Sequence, residues 1–222
     1  MPKMKKLALL SLLLAAAVHA EEREWIPYKK LIEESRLDKF YAIPPAERDK
    51  IQLFLKLVPS NKAIKPGELT LAVLDGAERQ PLPMLGEGRI HLVPNPKWMA
   101  DNAKTLISLP KTEKAGFGYD MVTPLPEGTQ WQYAPLMGSV DQSNAAIKKM
   151  AGAFSVFAPT VKVVVFKFAK PAQLRIESRD GVKTYTSDAK GHIKLAPERA
   201  LLKENPLIVA SERPTEAELD TE

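Results

Sequence analysis

The sequence predicts a mainly β protein of the α+β type, made of two tandem, internally duplicated β-sandwich-like repeats, each preceded by a short helical segment. Three observations predict it. Short apolar runs separated by Gly, Asp and Pro recur at intervals of roughly 8 to 12 residues, the spacing of sandwiches and barrels. The helices that a parallel sheet needs between its strands are missing from the pattern. And residues 88–113, GRIHLVPNPKWMADNAKTLISLPKTE, return without a gap as residues 191–216, GHIKLAPERALLKENPLIVASERPTE, with 8 of 26 positions identical. Those identities are Gly88/Gly191, Ile90/Ile193, Leu92/Leu195, Pro94/Pro197, Asn102/Asn205, Ser108/Ser211, Thr112/Thr215 and Glu113/Glu216. Unrelated segments of ordinary composition would share about one or two.

Residues 1–20 have the three parts of a secretory signal: Lys3, Lys5 and Lys6, an apolar run from Leu7 to Val18, and Val18-His19-Ala20 with small residues at the cleavage-determining positions. Cleavage is expected after Ala20. The run is shorter than the roughly 20 residues that span a bilayer, so no stable membrane insertion is expected after its removal. The chain has no Cys, which excludes Cys-linked lipid, disulfides, thiol nucleophiles and Cys-bound metal. The formal charge of +5 falls to +2 once the three signal lysines are subtracted, and the remaining charges are mixed along the chain. A nucleic-acid partner is therefore not expected.

The first repeat is read as residues 21–114. Its opening helix places Tyr28, Leu31, Ile32 and Phe40 near one face and stops at Pro44-Pro45. IQLFLKLV then alternates, with Ile51, Leu53, Leu55 and Leu57 on one side and Gln52 and Lys56 on the other. Strands are expected at about 69–74, 89–93 and 104–109. Residues 115–130, AGFGYDMVTPLPEGTQ, read as a Gly/Pro-rich connector, although Phe117, Tyr119, Met121 and Val122 give it packing capacity.

The second repeat is read as residues 131–222. A helix is expected over 139–151, with Ser139 at its N-cap, Gln142 completing a capping box and Gly152 ending it. VKVVVFKF reads as a strand buried on both faces, followed by strands at 172–178, 182–187, 192–196 and 206–211. The acidic stretch PTEAELDTE reads as a solvated tail. Within the duplicated stretch, Gly88 and Gly191 suit a left-handed turn, and Ile90, Leu92, Ile193 and Leu195 point inward. Pro94 and Pro197 stop the strand, and each Asn is expected to turn the chain into the next strand.

LRIESRDGVKTYTSDAKGHIKLAP resembles the turn-and-strand pattern of transthyretin-like and carboxypeptidase-regulatory-like β-sandwich modules: a strand, a DG turn, a strand ending in Thr, then D-x-x-G-x-I-x-L. The resemblance implies an accessory spacer, binding or adhesion module of an exported protein.

Chemistry is sparse. Ser139, Asp141, Ser143 and Asn144 stand close together and could bind a sugar or anion at a helix N-terminus. Trp131 and Tyr133, matched in the first repeat by Trp25 and Tyr28, could form a carbohydrate platform, but duplicated aromatics more often pin a helix to its sheet. His91 and His192 stand on matching strands without a second ligand or carboxylate at metal or general-base spacing. No G-x-S-x-G, H-E-x-x-H or phosphate loop occurs. No catalytic residue, metal or cofactor is assigned. The expectation is an exported, soluble periplasmic protein, or a secreted one in a single-membrane cell, of non-catalytic binding or structural type. An envelope protein or a carbohydrate would be its partner. The alternative is an envelope hydrolase with its site between the repeats near residues 139–144. A subunit of an outer-membrane or secretion assembly is a third reading.

Overall fold

The computed structural model describes residues 22–222, and the predicted signal lies outside them. Alternating and β-branched runs become strands, 14 among the described residues, in three antiparallel sheets. The first half runs β1 (Arg23–Pro27), α1 (Tyr28–Glu34), α2 (Leu37–Tyr41), β2 (Gln52–Pro59), β3 (Leu71–Asp75), β4 (Glu78–Leu82), β5 (Arg89–Ile90), α3 (Pro96–Ala100), β6 (Lys104–Ile107) and β7 (Ala115–Val122). The second runs β8 (Gln130–Gln132), α4 (Tyr133–Met137), α5 (Ser139–Ala151), β9 (Val163–Lys167), β10 (Gln173–Ser178), β11 (Gly181–Thr186), β12 (His192–Leu195), α6 (Arg199–Glu204), β13 (Leu207–Ala210) and β14 (Glu216–Asp220).

The first four-stranded sheet has the order β1-β6-β3-β4 and the second β8-β13-β10-β11. The remaining strands form one six-stranded sheet, β5-β2-β7-β14-β9-β12, to which each half contributes three. Its inner face carries Leu53, Leu55, Leu57, Ile90, Val164, Phe166 and Ala217, members of a single buried apolar cluster that runs through both halves. The two halves therefore share a core.

Two segments read as irregular are the middle of that sheet. The connector supplies β7, paired with β2 over its whole length from Gln52↔Val122 to Pro59↔Ala115. The acidic tail supplies β14, paired with β9 from Glu216↔Lys167 to Asp220↔Val163. Its acids are not left in solvent. Glu216 accepts from Arg89 at 2.6 Å and from Lys167 at 3.1 Å, and Glu218 pairs with Lys167. Ala217 and Leu219 alternate with them into the core.

The opening helix of the first half is broken in two. Ser35 turns its hydroxyl onto the Ile32 carbonyl, and Arg36 follows in the left-handed region at φ 54°. The second-half helix keeps its predicted bounds but not its cap. α4 runs into α5 through a right-handed Gly138, so the first amides of α5 already bond back, Gln142 N to Gly138 O. With no orphan donor to satisfy, Ser139 donates its hydroxyl to Leu136 O. Gln142 reaches across to the first half instead, accepting from Lys50 N and donating to Asp49 Oδ1, both at 2.7 Å.

The shared residues of the two halves do matching work. Tyr28 is buried, donates to Val93 O and accepts from Asn95 N; Tyr133 donates to Ala196 O and accepts from Glu198 N. Each tyrosine thereby ties the start of a helix to the chain just past β5 or β12. Ser108 accepts from Thr70 N, as Ser211 does from Gln173 N. Asn102 and Asn205 both stand at positive φ, 52° and 55°, and turn the chain toward β6 and β13. Gly88 and Gly191 stand at φ 78° and 79° and lead into β5 and β12, and a Cβ there would collide with Pro66 or with the Phe168 carbonyl oxygen. Trp25 and Trp131 match less closely, because a bulge between Glu24 and Pro27 adds a residue to β1 that β8 lacks.

Candidate ligand-binding site

The two central strands meet through very little. β7 and β14 share one register pair, Glu218↔Val122, supplemented by Thr123 N donating to Ala217 O at 2.8 Å. Moving along β7 from Val122 toward Tyr119, and along β14 from Glu218 toward Thr221, no further pair forms. A cavity of about 400 Å³ lies along this seam, within the size range of small-molecule sites.

Its walls come from both halves. Tyr119 and Met121 of β7 and Leu219 and Thr221 at the end of β14 form the sheet side. Ile147, Met150 and Ala151 on the last turns of α5 face them. Beyond α5 the chain returns as a 3-10 turn, Gly152–Phe157, and Phe154, Pro159 and Val161 close one end. Arg36, set outward by its left-handed backbone, stands at the rim as the one cationic side chain of the lining. Tyr119 donates to Ser35 O at 2.8 Å, and burial raises its phenol pKa above the ordinary tyrosine value. Apart from Thr221 and the Tyr119 phenol, the rest of the lining is aliphatic, sulfur or aromatic. It can hold an apolar body and offers an anion one charge at the mouth.

The residues singled out from sequence are placed around this cavity rather than in it. Ser139 and Ser143 are fully buried and bond helix carbonyls, Ser143 to Ser139 O at 2.7 Å. Asp141 is exposed in the first turn of α5, where its charge favours the helix N-terminus. Asn144 brackets Val161 with both amide atoms, donating to its carbonyl at 2.9 Å and accepting from its N–H at 2.8 Å. It thereby fixes the loop that carries the cavity wall. Trp131 is buried and donates to Pro126 O, and Tyr133 is the buried tie described above. His91 lies beside Tyr41 and 5.7 Å from the Phe54 ring, while His192 is on β12, so neither joins the serines.

On its other face the six-stranded sheet carries a half-buried ion network across the same seam. Lys56 pairs with Asp120 at 3.4 Å and Lys167 pairs with Glu218 in the matching place, while Arg89 crosses to Glu216 and lies over the Phe54 ring at 5.3 Å. Burial pulls the Lys167 pKa down, but the bonds from Glu218 and Glu216 outweigh it and leave it above the ordinary lysine value. Lys56 is raised the same way by Glu87 and Asp120. A second cavity of about 620 Å³ lies beside Arg23, whose guanidinium is already bonded to Leu109 O and Glu113 O.

Among the described residues no group of three or more His, Cys, Asp or Glu could hold a metal, and no helix is long and apolar enough to cross a membrane. Comparison with known proteins adds no relative. No family model, curated protein or solved structure matches the chain. The seam cavity thus stands on its own geometry. Sequence reasoning missed it because its walls come from segments spread between residues 36 and 221, none with a motif of its own. The alternation of Phe117, Tyr119 and Met121 was the available signal.

Proposed function

We propose that this is an exported periplasmic protein of non-catalytic binding type, built of two β-sandwich-like repeats joined at a shared sheet, which holds an apolar or amphipathic small molecule in the seam cavity. The observation that carries the binding reading is the cavity itself: about 400 Å³, walled by Met121, Ile147, Met150 and Leu219, with one cation at its mouth. Apolar walls favour ligand hydrocarbon through the area they remove from water. Asn144 and Tyr119, the polar groups tied to backbone beside it, position the walls. Export is supported by the N-terminal pattern of residues 1–20. Duplication is supported by the matched sheet orders and by the paired Tyr, Ser, Asn and Gly positions.

Equilibrium binding of an environment-sensitive apolar probe, such as an anilinonaphthalene sulfonate, tests the reading. Saturable one-site binding to the native protein is expected, and Ile147→Trp, which fills the cavity from a half-buried position, weakens it by about tenfold. Equal binding by Ile147→Trp with an unchanged melting temperature would place the probe elsewhere and end this reading.

A further inference from the structure

The turn Gly152–Phe157 presents Phe154, Val156 and Phe157 at 69%, 80% and 85% exposure. A single exposed apolar side chain on a soluble domain needs no explanation, but three within four residues on one turn form a patch. Packing does not demand it. Val156 and Phe157 are not members of the buried cluster, and of the three only Phe154 lines the cavity. Polar residues would serve the turn as well for solubility.

The charges around the patch say what would cover it. In sequence no Asp or Glu occurs from residue 142 to residue 176, and Asp220, whose carbonyl accepts from Lys162 N, is itself within ion-pair reach of Lys194. Lys148, on the last turn of α5, and Lys162, just before β9, flank the turn; both are exposed and, among the described residues, neither has a carboxylate within ion-pair distance, whereas Lys149 is held by Glu47. An apolar tip with a cationic collar matches a surface that is anionic outside and hydrocarbon within. A second copy of the chain would bring two lysine collars together, which like-charge repulsion opposes.

We propose that the turn Gly152–Phe157 docks the protein onto anionic lipid bilayers, with Phe154, Val156 and Phe157 entering the headgroup–acyl boundary and Lys148 and Lys162 at the phosphate level. This is an interfacial contact, independent of whether the cavity binds a small molecule. It places the Phe154 end of the cavity beside the lipid, because Phe154 belongs to both.

Co-sedimentation of the purified protein with phosphatidylcholine vesicles, with and without phosphatidylglycerol, tests it. Binding to the anionic vesicles is expected to exceed binding to neutral ones by about tenfold and to fall at high salt. The double variant Val156→Ser/Phe157→Ser is expected to lose binding by at least about tenfold while keeping the parent's circular dichroism and melting temperature, since it removes only exposed groups. Lys148→Gln and Lys162→Gln are each expected to weaken it about fivefold. The proposal is overturned by absence of vesicle binding, by equal binding of the double variant, or by a concentration-dependent dimer that the double variant abolishes. Probe binding without vesicles that the Val156→Ser/Phe157→Ser variant keeps and Ile147→Trp weakens reads the cavity alone, so loss of either result leaves the other standing.

Discussion

Replacing Tyr133 by Phe removes one hydroxyl and two hydrogen bonds without changing the ring that fills the core. The hydroxyl accepts from Glu198 N at 3.0 Å and donates to Ala196 O at 3.4 Å, in a partly buried place. The longer bond is weak, so the main loss is the Glu198 N–H left without its acceptor, which costs about 1–3 kcal/mol. Partial exposure lets water return to some of that site, and about 2 kcal/mol is expected. For a domain of this size that lowers the melting temperature by roughly 4–8 °C. Tyr28→Phe should behave alike, because Tyr28 holds Asn95 N and Val93 O at the same 3.0 and 3.4 Å. Thermal unfolding followed by far-UV circular dichroism and by tryptophan emission reads both variants. A single coincident transition is expected in each, since the halves share a core. Shifts below about 1 °C in both would refute the tie as a stabilising device, and two separate transitions would refute the shared core.

Two further outcomes follow from the geometry. Gly191→Ala should cost at least about 2 kcal/mol, combining a left-handed alanine with a collision on the fixed Phe168 carbonyl oxygen. Gly88→Ala, which meets the Pro66 ring in a loop, should cost less, and the reverse order in urea midpoints would contradict this account. The raised pKa values of Lys56 and Lys167 mean that the folded state holds these protons more tightly than the unfolded one. Their contribution to stability is whole below the ordinary lysine value of 10.5 and declines as pH rises through the folded values. Buried tyrosines with raised pKa also titrate there, so the measurement is a comparison. Lys167→Met should flatten the alkaline fall in urea midpoint, and parallel slopes for variant and parent would remove the network as its source.

Much of the architecture was legible where a local pattern and its burial agreed. Ile51, Leu53, Leu55 and Leu57 alternate in sequence and face the core in β2. Ser139 to Ala151 reads as a helix and is one. Gly88, Gly191, Asn102 and Asn205 could be placed at turns because few other residues tolerate positive φ. The centre of the molecule was less legible. Gly116 and Gly118 made β7 look like a linker, yet Gly118 stands opposite Lys56 in the ladder with β2. Glu216, Glu218 and Asp220 made β14 look like a solvated end, because its cationic partners lie on β9 and β5, far away in sequence. The candidate ligand groups were ambiguous for a related reason: polar side chains near a helix start can serve a ligand or the backbone, and the fold shows Ser139, Ser143 and Asn144 bonded to backbone. Arg36 carried no sign that it would split a helix and reach a cavity mouth.

The position of β14 has a bearing on when the protein can become itself. Of the described strands it leaves the ribosome last, yet it fills the slot between β7 and β9. Until residues 216–220 arrive, those two strands present open edges that other chains could occupy. The same strand, once made, completes the sheet at one stroke. A chain clipped before Glu216 should therefore keep both edges open and be aggregation-prone, although every other described strand is present.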